Sequence, residues 1–129
     1  MPDFSGTIEN FVAGDDLQIT RTITNVPSGA VLTKVWFTVK LQRSATDADA
    51  VIQKVITTAN VAGTGQITDD GAGDQSAAVR FDLADTDTAK LQKGLTFLYD
   101  IQVLTDGGAI YTPEIGTITA KQGVTVDTS

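Results

Sequence analysis

The sequence predicts an all-β domain, a sandwich or barrel of seven or more short strands. Three observations carry this expectation. Apolar residues recur at every second position in several separate runs. Gly, Asp and Pro clusters separate those runs: Gly14-Asp15, Pro27-Ser28-Gly29, Asp70-Gly71 and Asp106-Gly107-Gly108. And 129 residues make one domain, able to bury about 65–70% of its unfolded surface without a staple.

The elements follow in chain order. Residues 1–13 read as an N-terminal arm or first strand, with Ile8 to Val12 its apolar part. Leu17-Gln18-Ile19-Thr20-Arg21-Thr22-Ile23-Thr24 alternates, except that Arg21 falls on the apolar phase. That position fits a strand end or a pairing with a carboxylate. In Val35 to Gln42, the residues Val35, Phe37, Val39 and Leu41 face one way and Thr38, Lys40 and Gln42 the other, as in a half-buried strand. Thr46 or Asp47 is placed to cap a helical turn at Ala48-Asp49-Ala50. Val51 to Thr57 reads as a strand, apolar on both phases, which leaves its register open. Gly63 to Ser76 reads as a mobile Gly/Asp-rich loop, and Val79 to Leu83 as another strand. Thr86 or Asp87 is placed to cap a turn at Thr88-Ala89-Lys90-Leu91. Leu95 to Val103 turns Leu95, Phe97, Tyr99, Ile101 and Val103 inward, as a central strand would. Asp106-Gly107 marks a hairpin, and Ile115 to Ala120 completes the set. The sandwich is expected over residues 14–126, with 127–129 a tail.

Composition removes whole classes of chemistry. The chain has neither cysteine nor histidine. Disulfides, thiolate nucleophiles, His-based triads and zinc sites built on those ligands are therefore excluded. No cofactor is expected, and the protein is read as a non-enzyme. The net charge is −7, and Arg21, Lys34, Lys40, Arg43, Lys54, Arg80, Lys90, Lys93 and Lys121 are scattered. That distribution argues against nucleic acid as a partner. No apolar run reaches the roughly 20 residues of a membrane span. Met1-Pro2-Asp3-Phe4 lacks the character of a signal peptide, so synthesis in the cytoplasm is expected.

Three groups of residues have a functional reading beside a structural one. Asp69, Asp70 and Asp74 form the densest acidic cluster and are a weak candidate for calcium. The EF-hand spacing is absent, and a polar connecting loop is the favoured reading. Asp82, Asp85 and Asp87 could be hydrolytic carboxylates, but Asp85 and Asp87 stand where caps are expected. Trp36 lies on the outward phase of its strand. It is either a contact for another protein or an aromatic covering its own sheet or covered by the 63–76 loop. Phe4, Ile8 and Phe11 of the arm join Trp36 as candidate interface residues. Tyr99 is expected to anchor its hydroxyl on a backbone group, as a tyrosine corner does.

Several stretches together resemble one family. They are Gly14-Asp15-Asp16-Leu17-Gln18-Ile19, Val35-Trp36-Phe37-Thr38-Val39-Lys40, and Thr46-Asp47-Ala48-Asp49-Ala50 with Ile52-Gln53-Lys54. Asp87-Thr88-Ala89-Lys90-Leu91, Tyr99-Asp100-Ile101-Gln102-Val103 and Gly116-Thr117-Ile118 complete the series. In this order they resemble the small Ig-like domains of tailed-bacteriophage virions, typified by the N-terminal domain of the baseplate upper protein. The resemblance implies an Ig-like β-sandwich of about seven to nine antiparallel strands and a non-catalytic part of a virion. It brings no catalytic residues. The match ends near residue 126, which favours a free-standing part over a baseplate or tail-fibre adaptor. The expectation is a capsid decoration protein or a small head, neck or tail accessory protein, docked to other virion proteins as a homo-oligomer or as lattice-bound copies. A sheet edge or the arm 1–10 would add to a neighbour by strand pairing. A carbohydrate-binding module is the rival from another class, although the sequence has only one Trp and two Tyr.

Overall fold

A computed structural model describes residues 5–9, 11–24, 26–41, 50–73, 75–91 and 95–121. Among these residues, eight strands form two sheets. The larger has the order β1 (Ser5–Ile8), β8 (Ile110–Thr119), β7 (Thr96–Thr105), β3 (Leu32–Lys40), β4 (Ile52–Ile56). The smaller has the order β2 (Leu17–Ile23), β6 (Ala77–Leu83), β5 (Gly65–Asp69). A short helix, α1 (Asp85–Thr88), carries the chain from β6 back to the large sheet. This is an Ig-like β-sandwich: β2, β6 and β5 stand as strands B, E and D against β3, β7 and β8 as C, F and G, with β4 beside C. The strands are antiparallel with one exception. β1 runs parallel to β8, with Ser5 opposite Ile115 and Ile8 opposite Ile118.

Period-two patterning explains the layers. β6 alternates strictly, burying Ala77, Val79, Phe81 and Leu83. β7 buries Phe97, Tyr99, Ile101 and Val103 in the same way. Phe37 of β3 is the centre of the core. Its ring lies 5.2 Å from Phe81 across the sandwich and 5.6 Å from Tyr99 beside it, both in tilted contact. The expected Asp106-Gly107 hairpin is present: Thr105 donates to the Ala109 carbonyl at 2.9 Å.

Several expectations are corrected. Residues 63–76 are not all loop, because Gly65–Asp69 is β5. Its inward positions are Gly65 and Ile67 alone, too few to read as alternation. Leu41 (53% exposed) and Leu95 (42%) are not inward, because they lie just beyond the ends of β3 and β7. The turn at 86–91 starts earlier, with Ala84 as N-cap, and Asp87 acts from inside the helix by accepting the Ala84 amide at 2.9 Å. The turn at 46–50 lies outside the described residues but for Ala50.

Thr88 ties the helix to the start of β2. Its hydroxyl donates to the Asp15 carbonyl at 2.6 Å and accepts the Gly14 amide at 3.0 Å. The Asp85 amide donates to the Asp16 carboxylate at 2.8 Å. Two stretches more than 70 positions apart are joined at this node.

Two inward-phase cations close the margins of the sandwich. Arg21 of β2 reaches across to Glu114 of β8, its Nε lying 3.0 and 3.1 Å from the two carboxylate oxygens. The same carboxylate accepts the hydroxyl of Tyr99, so that hydroxyl is anchored on a side chain and not on backbone. On the other margin Lys54 of β4 meets Asp87 of α1 at 2.8 Å and donates to the Gly63 carbonyl at 2.9 Å. Burial and the bond to Glu114 push the Tyr99 hydroxyl up to about 12. Burial opposes ionisation of Asp87, but the Lys54 and Ala84 hydrogen bonds outweigh it and hold the carboxyl below its usual value.

Two predictions follow from this packing. Gly65 has φ +131°, and a Cβ there would stand 2.0 Å from the Arg80 carbonyl oxygen. Gly65→Ala should cost about 2 kcal/mol or more in urea unfolding, from strain and overpacking together; an unchanged midpoint would contradict this packing. For Tyr99, the raised pKa means the folded state keeps a proton that the unfolded state has lost. Its contribution is therefore complete below pH 10 and disappears as pH rises toward 12. In a Tyr111→Phe background, absorbance at alkaline pH should show Tyr99 ionising near 12 when folded and near the ordinary value of about 10 in urea.

Candidate protein interface

The two outer faces of the sandwich differ in chemistry. The small sheet presents Gln18, Thr20, Thr22, Gln66, Thr68, Ala78, Arg80 and Asp82 outward, an almost wholly polar surface. Arg80 and Asp82 pair on it at 3.1 Å. The large sheet presents Trp36 between Gln102 and Val55, and Thr38 between Asp100 and Gln53. Ile115 extends the Asp100 row, and Ile110 stands opposite Leu104. Six apolar side chains (Trp36, Val55, Leu98, Leu104, Ile110 and Ile115) thus surround a small polar centre. Val55 is 40% and Ile110 59% exposed.

This face is concave. A depression of about 430 Å³ runs over it, with Trp36, Thr38, Gln53, Leu98, Gln102 and Ile115 in its lining. Thr38 is only 7% exposed although it points outward, and it accepts the Gln53 amide at 3.1 Å. Trp36 is half-buried among residues of its own sheet and is not covered by the 63–76 segment, which supplies β5 to the opposite sheet. A pre-formed depression with apolar walls and a few fixed hydrogen-bonding groups is suited to holding another protein surface.

The four sheet edges are poorly suited to the same task. β1 is four residues long. β2 and β4 carry the inward cations Arg21 and Lys54. β5 has a register irregularity between Ile67 and Asp69. Short strands, inward charges and bulges are the features that oppose pairing with a foreign strand.

The other candidate residues are placed as follows. Ile8 and Phe11 are core residues at 9% and 7% exposure, so their side chains fill this domain and not a neighbour. The arm around them is already paired in its own sheet through β1. Phe4 lies outside the described residues. Asp69 and Asp70 each accept the amide two residues on, from Gly71 and Ala72, both at 3.0 Å. That is turn formation. Asp74 lies outside the described residues, among which no group of three or more acidic side chains is arranged to hold a metal. Asp82 pairs with Arg80, Asp85 accepts the Thr86 amide, and Asp87 holds Lys54, so these three carboxylates do not converge. Sequence reasoning found Trp36 and missed its five apolar neighbours. Their shared face depends on cross-strand register, which alternation within one strand does not fix.

No known protein-family model and no curated protein sequence matches the chain.

The placement of Asp69 and Asp70 predicts no calcium dependence. A site filled at a hundredfold excess over its Kd would add about 2.7 kcal/mol. Millimolar calcium should leave the melting temperature unchanged, and a rise reversed by chelator would revive the metal reading.

Proposed function

We propose that the protein is a non-catalytic structural part of a bacteriophage virion, a capsid decoration protein or a small head, neck or tail accessory protein, and that it works by docking the outer face of its large sheet. The observation that carries the docking reading is the contrast between the two outer faces. A sandwich that only had to stay dissolved would gain nothing from six apolar side chains on one outer face, four of them lining a depression. The edges are guarded, so recognition by rigid face contact is favoured over strand addition. Rigidity suits such a role, because a pre-organised surface loses little entropy on binding.

The non-enzymatic reading is supported by the lack of histidine and cysteine and by the carboxylates' engagement in turns, caps and ion pairs. The virion assignment is supported by the order of the strand and turn motifs quoted above. Two of them, Gly14-Asp15-Asp16-Leu17 and Asp87-Thr88-Ala89, meet at the Thr88 node, so they act as parts of one fold. A sugar-binding platform would need aromatic rings aligned along the face. Trp36 is the single ring pointing outward from the described strands of the large sheet.

The test is biochemical. Density-purified particles of the phage encoding this chain should contain it in stoichiometric amount. Particles lacking it should be less heat-resistant and should recover when the purified protein is added. Trp36→Glu should abolish that recovery while leaving the circular dichroism unchanged. Absence from purified particles, or turnover of a substrate, would overturn the assignment.

A further inference from the structure

We infer that Asp106, in the hairpin between β7 and β8, is a site of backbone modification, where the chain converts to isoaspartate through a cyclic imide formed with Gly107. The inference is independent of what the protein docks to.

The chain has two Asp–Gly steps, Asp70-Gly71 and Asp106-Gly107. Glycine after aspartate puts no side chain in the way of ring closure. Sequence chemistry therefore permits both, and the structure separates them. At the first step both reacting groups are held. The Gly71 amide donates to the Asp69 carboxylate at 3.0 Å, and the Asp70 carboxylate accepts the Ala72 amide at 3.0 Å. The Asp70 carbonyl accepts the Leu32 amide at 2.9 Å, and Gly71 is buried against Val26. At the second step the nucleophile is free. The Gly108 amide closes the turn on the Thr105 carbonyl at 3.1 Å, and the Gly107 amide inside it meets no acceptor among the described residues. Asp106 and Gly107 are both exposed, and the Asp106 carboxylate accepts the Val31 amide in a long bond of 3.3 Å. Ring closure here gives up that one weak bond. The Gly107 nitrogen bonds to the Asp106 Cγ, the C–OH bond of the carboxyl breaks, and the hydroxyl leaves as water with the amide proton. Water then opens the imide. Opening at the Cγ carbonyl restores aspartate, and opening at the α-carbonyl leaves the main chain running through Cγ. No atom is gained or lost overall. The product carries an extra methylene in its main chain, inside the turn that sets the register of β7 against β8.

Asp70 and Asp106 fall in different tryptic peptides, 55–80 and 94–121, so one experiment reads both. The folded full chain is held for weeks in mildly acidic buffer, because hydroxide leaves only from the acid form of the carboxyl, and is then digested. An isoaspartyl methyltransferase with labelled S-adenosylmethionine counts isoaspartate in each peptide. Peptide 94–121 should carry several-fold more label than peptide 55–80. In guanidinium chloride, where the bonds around Asp70 are gone, the two should label alike. Asp106→Glu should remove the label from 94–121, which excludes Asp100 as its source. Gly107 lies outside the left-handed region and a Cβ there meets open space. Gly107→Ala should therefore keep the circular dichroism of the wild type and lower the label in 94–121 several-fold. Equal labelling of the two peptides in the folded protein overturns the proposal. So does a 94–121 peptide that stays unlabelled, or one whose label survives Asp106→Glu.

Discussion

The margins of the sandwich are closed by charge. Two packed sheets leave two open sides where the apolar interior meets water, and here each side is spanned by a cation on the inner phase of an edge strand. Arg21 reaches from the small sheet to Glu114 of the large one. Lys54 reaches from the large sheet to Asp87, on the helix that continues the small one. Desolvation opposes both arrangements, and each is offset by more than a single contact. Glu114 serves Arg21 and Tyr99 together, and Lys54 is shared between Asp87 and the Gly63 carbonyl. A cation at such a position also spoils the edge for pairing with another chain. One device thus joins the sheets and guards two of their edges.

The fold was legible where alternation is strong. β2, β3, β6 and β7 carry three or four apolar residues in phase, and each is a strand. Arg21 stood out in the sequence as an apolar-phase charge, and of the two explanations open to it the structure shows the carboxylate. Less was legible where the inward residues are small or few. β5 has only Gly65 and Ile67 facing in. β8 contains Pro113 and Gly116, and its pairing with β7 shifts between Ile101 and Val103, so only its second half read as a strand. The parallel pairing of β1 has no local signature, because it depends on where the chain returns.

The candidate interface shows the same division. Trp36 was visible from its own strand. Leu98, Leu104, Ile110 and Ile115 lie on β7 and β8, and nothing within those strands says which neighbours they meet. The face exists only after register aligns four strands. Two of the quoted stretches, Gly14 to Ile19 and Asp87 to Leu91, are by contrast scaffold. Thr88 links them through hydrogen bonds of 2.6 and 3.0 Å, and those residues shape the sandwich without lining the depression.

The parallel run of β1 along β8 has a mechanical consequence. Ser5 lies beside Ile115 and Ile8 beside Ile118, so the chain enters β1 at one end of the pair and leaves β8 at the other. A force drawn through residues 5 and 121 would load the hydrogen bonds between these strands in shear, all at once, and could not peel them apart one by one.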